Sequence, residues 1–219
     1  MTSAPINKKQ PVRVLSIFRG NERPLTACEI YRITMPLDYL GRQPAWETSW
    51  RYFESIWHDF QLYGTAAIRE LLSYDIIIFP RVASLDSNEE LGLKILFATL
   101  KQGGVRVVYE TDDDYSNVYR NVTAGDAMTP MSWADAVTVT TPYLAENMRQ
   151  YTRQPIHELP NCIDPAVWRD APPIKEERLV IGLTGSETHS NDWSVLKDVM
   201  PAILAAHPHV HFVVMGYHP

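Results

Sequence analysis

Gly103 to Asp114 reads GGVRVVYETDDD. Two glycines make a turn, an apolar and β-branched run makes a strand over Val105 to Glu110, and three carboxylates follow it. In an open α/β sheet, ligands bind outside the carboxyl ends of the strands. A strand that delivers a carboxylate cluster to that edge is a candidate wall of a binding or catalytic site.

The pattern repeats on both sides of this stretch. Upstream, Ser87 and Glu90 form a capping box for a helix that runs to Gln102 and is stopped by Gly103 and Gly104. Before it, Asp75 to Pro80 (DIIIFP) is a buried strand with Arg81 at its carboxyl end, and Ala66 to Ser73 is a helix. Downstream, Ala136 to Thr140 is a strand. Thr141 and Pro142 supply the N-cap and first position of a helix to about Tyr151, and Ile156 to Leu159 is a short strand. Near the start, Val12 to Phe18 is a strand ending at Arg19-Gly20-Asn21. A helix over about Thr26 to Leu40 follows, stopped by Gly41, with Pro36 expected to kink or shorten it. Ala45 to Asp59 fits either period; a strand first and a helix or loop after is the preferred reading, with its tryptophans read as core more readily than as a sugar platform. Alternating helices and continuous apolar strands imply an α/β protein with a Rossmann-like parallel sheet covered on both faces.

That first domain should occupy residues 1–169. Residues 170–177, DAPPIKEE, are polar and proline-rich and read as a linker. Over 178–219 a second Rossmann-like unit begins: strand Leu179 to Leu183, helix Asn191 to Ala206, strand Val210 to Met215. One βαβ unit cannot cover both faces of its own strands, so it reads as part of a longer C-terminal domain, with packing on the first domain or a partner chain as the alternative.

The 219 residues carry a formal net charge of −6 and no dense basic stretch, which argues against nucleic acid as the main partner. The first eleven residues have no apolar core for a signal peptide, and no apolar run is long enough to cross a bilayer. A cytoplasmic location is the expectation, with room for peripheral membrane contact. Cys28 and Cys162 lack metal-site spacing and a nucleophile's partner and read as reduced thiols.

Several segments, in order, resemble family 4 glycosyltransferases of the GT-B fold. Pro160-Asn161-Cys162-Ile163-Asp164 is similar to the Pro-Asn-Gly-Ile-Asp segment that closes their N-terminal domain, with Cys162 where glycine is usual. Ala134 to Thr141 is similar to the preceding strand, and Tyr31-Arg32 with Pro36 and Leu40 to the first helix. Gly104 to Asp114 and Gly182 to Trp193 (GLTGSETHSNDW) resemble one branch of the family. The resemblance implies an acceptor-side first domain and a nucleotide-sugar-binding second domain. It also implies retaining transfer of a sugar to a saccharide, protein or other hydroxyl acceptor, with no metal and no cofactor beyond the nucleotide-sugar co-substrate. The family's Glu-seven residues-Glu motif does not occur in the 219 residues, and Lys197 is the one Lys or Arg after Leu179.

The site candidates follow. Asp112, Asp113 and Asp114 would bind acceptor hydroxyls, accept a proton or steer a cation; the competing reading is a solvated acidic loop. Their Asp-x-Asp spacing matches the metal signature of GT-A enzymes but is set aside, because Pro160 to Asp164 does not belong to that fold. Arg81, Arg32 and Arg19 are acceptor-side candidates against a default of surface ion pairs, with Arg81 the strongest. Gly182, Gly185 and Ser186 precede a helix whose N–H groups could hold a diphosphate, or form an ordinary strand-to-helix turn. His189 and Asp192 lie at the same mouth, with Asp192 also a helix cap. His207, His209 and His211 alternate without a ligand cluster and are not assigned a metal. The rival to the enzyme is a Rossmann-like binding or assembly module that has lost the donor site.

Overall fold

The structure is a computed structural model and describes residues 10–20, 23–63, 65–81, 87–114, 124–162, 164–165, 179–185 and 196–216. The chain divides into two compact units, Met1–Ile163 and Asp164–Pro219. The linker expected at 170–177 lies outside the described residues.

The first unit is an α/β domain built on a six-stranded parallel sheet in the order β2-β1-β3-β4-β5-β6. Its strands are β1 (Val12–Phe18), β2 (Trp46–Tyr52), β3 (Ile76–Pro80), β4 (Arg106–Glu110), β5 (Ala136–Val139) and β6 (Ile156–Glu158). From β1 the chain first steps outward to β2, then returns across β1 and runs the other way. Parallel crossovers are right-handed, so this reversal puts the helix after β1 on one face and the later helices on the other. The β1/β3 boundary is the topological switch point.

The packing follows that division. Leu15, Ile77, Val107 and Val137 share one face and bury against α2 (Phe53–Tyr63), α3 (Thr65–Leu71), α4 (Ser87–Gln102), α5 (Ala124–Trp133) and α6 (Pro142–Met148). Val14, Phe18 and Tyr52 on the opposite face pack with Ile33 and Leu37 of α1. That helix comprises Ala27–Glu29, a π-helical turn Ile30–Thr34 and Met35–Gly41.

Thr26 caps α1 by accepting from the Glu29 N–H, and Glu29 reaches back to the Thr26 N–H. Pro36 does not shorten the helix, which continues to Gly41. Proline removes a helical donor and its ring crowds the carbonyl four residues back, Arg32. The ladder widens just before it, where the Met35 N–H reaches Ile30. A π turn at that point absorbs the mismatch.

Other boundaries also differ from the sequence reading. The Thr141-capped helix ends at Met148, three residues early, because the Tyr151 N–H turns back to the Met148 carbonyl and tightens the chain. Helix α5 has no counterpart in the sequence reading. It contains Pro130 and is held by the fully buried Met128 and Met131. The side chain of Ser87, half of the expected capping box, lies outside the described residues.

In the second unit, β7 (Leu179–Thr184) and β8 (Val210–Met215) form a two-stranded parallel sheet, with α7 (Met200–Ala206) between them in sequence. Leu179, Val213, Val214 and Met215 are exposed on it. Among the described residues, no helix is long and apolar enough to cross a membrane.

Candidate functional site

The carboxyl ends of β3 and β4 lie beside the switch point and carry two clusters of charged residues. Pro80 is the register partner of Glu110, and Glu110 of Thr138. Strand alternation turns Glu110 away from the Val107 and Tyr109 face and toward α1. There it meets Arg32, which sits in the middle of the π turn. The Arg32 Nε and Nη2 donate to Glu110 Oε1 at 2.9 and 2.7 Å. Its Nη1 donates to the Leu159 carbonyl at 2.7 Å and to Asn161 Oδ1 at 3.1 Å. Both side chains of the pair are buried, 8% and 4% exposed.

Arg32 therefore ties together α1, the end of β4 and the chain after β6. Tyr31-Arg32 and Pro160-Asn161, two segments that carry the family resemblance, meet in space here. Burial pushes the Glu110 carboxyl up to about 7, although the Arg32 charge and hydrogen bonds pull the other way.

The second cluster lies just beyond the ends of β3 and β4, at Arg81, Asp112 and Asp113. Arg81 has φ 53°, a left-handed conformation that costs a side-chain-bearing residue roughly 1–2 kcal/mol. Its N–H donates to the Glu110 carbonyl at 2.8 Å, which helps hold the strained backbone. The guanidinium lies 3.3 Å from Asp112 Oδ1 and 3.0 Å from Asp113 Oδ2. The Asp112 contact is a charge pairing off the hydrogen-bond axis, because Oδ1 accepts no hydrogen bond. Burial opposes the Arg81 charge, but Asp112, Cys28 and Asp113 outweigh it and raise its pKa. The Asp113 carbonyl accepts from the Thr111 hydroxyl at 2.8 Å, which fixes the turn after β4.

The three aspartates are thereby differentiated. Asp112 is nearly buried, 11% exposed at its side chain, whereas Asp113 is 54% exposed. Asp114 is half-buried. Cys28, in the first turn of α1, is half-buried, and burial followed by the Asp112 carboxylate raises its pKa. That keeps the thiol protonated and unreactive at neutral pH. Arg19 lies just beyond β1 and is half-buried.

The sequence reading named Arg81 and the aspartates, which the fold brings together. It placed Arg32 on the acceptor side, where the structure gives it internal partners. It missed Glu110, for which strand parity was the available signal: every second residue before it faces α1.

Of the donor-side candidates, Gly182 lies within β7 and Gly185 just after it, where the Gly185 N–H donates to the Met215 carbonyl at 3.2 Å. Ser186, His189 and Asp192 lie outside the described residues. His207 and His209 rings meet edge to face at 5.9 Å. Among the described residues, no three His, Cys, Asp or Glu side chains form a group able to hold a metal ion.

A pocket of about 440 Å³ opens beside the carboxyl end of β2, lined by Arg23, Trp50, Arg51, Tyr52 and Ser55. Compared with known proteins, the chain matches no family model and no curated protein.

Proposed function

We propose that the protein is a glycosyltransferase of the GT-B type, with the first unit on the acceptor side and the second beginning the nucleotide-sugar-binding domain. The reading rests on the ordered resemblance of its segments. One structural observation supports it: an exposed carboxylate, Asp113, is held by a strained arginine at the switch point of a parallel sheet. Strain of this kind clusters at functional sites.

In this reading Asp113 touches the acceptor, receiving or orienting the hydroxyl that attacks the donor sugar. Arg81 holds Asp113 in place and lowers the cost of crowding it against Asp112. Glu110 and Arg32 position the edge from below. Glycosyl transfer also needs a diphosphate leaving group to be stabilised. Gly182, Gly185, Ser186, His189 and Asp192 are the proposed donor contacts, as the resemblance implies. The transfer is proposed to be retaining and metal-independent, as the resemblance implies.

The binding-module alternative draws on one observation. Among the described residues of the second unit, Lys197 is the one Lys or Arg that could offset a diphosphate's charge.

The test is to titrate the full chain with UDP- and GDP-sugars by calorimetry and to follow nucleoside diphosphate release with saccharide acceptors. Saturable binding with release that falls at least ~100-fold in Asp113→Asn is expected for a positioned proton acceptor. A folded protein that binds no nucleotide-sugar overturns the transferase and leaves the binding module.

A further inference from the structure

The pocket beside β2 is not part of the Arg81–Asp112–Asp113 cluster, yet it lies on the same sheet edge. Tyr52 ends β2 and is the register partner of Phe18, which ends β1. From β2 to β4 is three strand spacings, roughly 14 Å.

Its lining is amphipathic and built. Trp50 packs against Phe18 and Tyr52, with ring centroids 5.7 and 5.9 Å away, yet remains 39% exposed. The aromatic cluster fixes the indole while leaving part of it open. The Tyr52 hydroxyl donates to the Arg23 carbonyl at 2.7 Å, and Ser55 Oγ donates to the Tyr52 carbonyl at 2.7 Å.

Both arginines already have carboxylate partners. Arg23 makes a two-pronged contact to Glu29 at 2.8 and 2.7 Å. Arg51 pairs with Asp59 and, at 3.3 Å, with Glu70. Two guanidinium groups thus face three carboxylates, which leaves no surplus positive charge to attract an anion. What remains is an aromatic surface beside two ion-paired arginines and a serine hydroxyl, in a volume at the lower end of small-molecule sites.

We infer that this pocket is a subsite for a neutral saccharide, with a sugar ring lying against Trp50 and its hydroxyls hydrogen-bonding to Arg23, Arg51 and Ser55 of the lining. A sugar ring has an apolar face of C–H groups and a polar equator, and this lining matches both. The spacing to Asp113 suits a chain of sugar units rather than a single ring, so the acceptor class is an oligosaccharide. The inference rests on the transferase reading for the purpose of binding, but not for binding itself.

The probe is a panel of neutral sugars: methyl glucoside, methyl galactoside, methyl mannoside, N-acetylglucosamine and a disaccharide of each. Indole N–H resonances of the full chain are recorded without any nucleotide-sugar, and the Trp50 resonance is assigned with Trp50→Phe. Saturable movement of that resonance by a neutral sugar is expected. Affinity should be retained within a few-fold in Trp50→Phe, read by calorimetry, and fall roughly tenfold in Trp50→Ala. Unchanged resonances of the other five tryptophans show that each variant is folded. Movement by inorganic phosphate or UDP but by no neutral sugar overturns the inference in favour of an anion pocket. Silence toward the whole panel also overturns it. If sugars bind at Trp50 while no nucleotide-sugar is turned over, the subsite stands and the transferase falls. If turnover occurs with Trp50 silent, the reverse holds.

Discussion

Replacing Arg32 by alanine should destabilise the first unit in a pH-dependent way. Removing one partner of a buried ion pair costs about 3–5 kcal/mol, because the remaining charge keeps its desolvation penalty. Here the remaining charge is Glu110, 4% exposed at its side chain. The sign with pH follows from its raised pKa. Below about pH 4.5 the carboxyl is protonated in both folded and unfolded chains, and its favourable contribution is fully present. As pH rises to about 7 the unfolded chain loses the proton first, so wild-type stability should fall with pH across that window. The span from 4.5 to about 7 corresponds to about 3 kcal/mol. In Arg32→Ala the burial that raises the pKa persists and the arginine that lowers it is gone, so the falling window extends to higher pH. The variant should therefore cost about 3–5 kcal/mol near pH 8. Near pH 5, where mainly hydrogen bonds to a neutral acid are lost, it should cost about 1–2 kcal/mol. Urea unfolding followed by tryptophan emission measures both, with Glu110→Gln as the control that removes the titration. Equal costs at the two pH values, or a cost under about 1 kcal/mol at both, would refute a buried, titrating pair.

Two further outcomes test the local geometry. Arg81→Gly should be more stable than Arg81→Ala by about 1 kcal/mol in urea unfolding, since both lose the ion pairs but glycine alone relieves the φ of 53°; equal stability would mean the backbone is not strained there. Thr141→Ala, which removes the acceptor for the Leu144 N–H, should lower the unfolding midpoint by the equivalent of about 1 kcal/mol without changing the denaturant slope.

Much of the sheet was legible because its strands carry short apolar, β-branched runs, as in Ile76 to Pro80 (IIIFP) and Val107 to Tyr109 (VVY). The turn and cap residues around them, Gly103, Gly104, Thr141 and Pro142, marked the boundaries. Helix α5 was hidden for the opposite reason. Gly125 and Pro130 are poor helix formers, and tertiary burial of Met128 and Met131 overrides that preference. The acidic edge of the site was legible from position alone. Its ion pairs were not, because Arg32 is 78 residues from Glu110 and 129 from Asn161, and no local pattern joins them.

The connection between fold and site runs through parity and topology together. The chain's reversal at β1 leaves α1 alone among the described helices on its face of the sheet, and Pro36 sets a π turn in α1 at Arg32. Strand β4 then ends on a residue of the parity that faces α1, which makes Glu110 the partner of that arginine. A one-residue slip of β4 would carry Glu110 to the other face, into the buried apolar cluster that holds Val107, Tyr109 and Val137. It would also turn Tyr109 toward Arg32. The ion pair thus disfavours the wrong register. The same register sets where the chain leaves the strand, and so fixes Asp112 and Asp113 opposite Arg81. The buried pair and the exposed acidic edge are two consequences of one strand alignment.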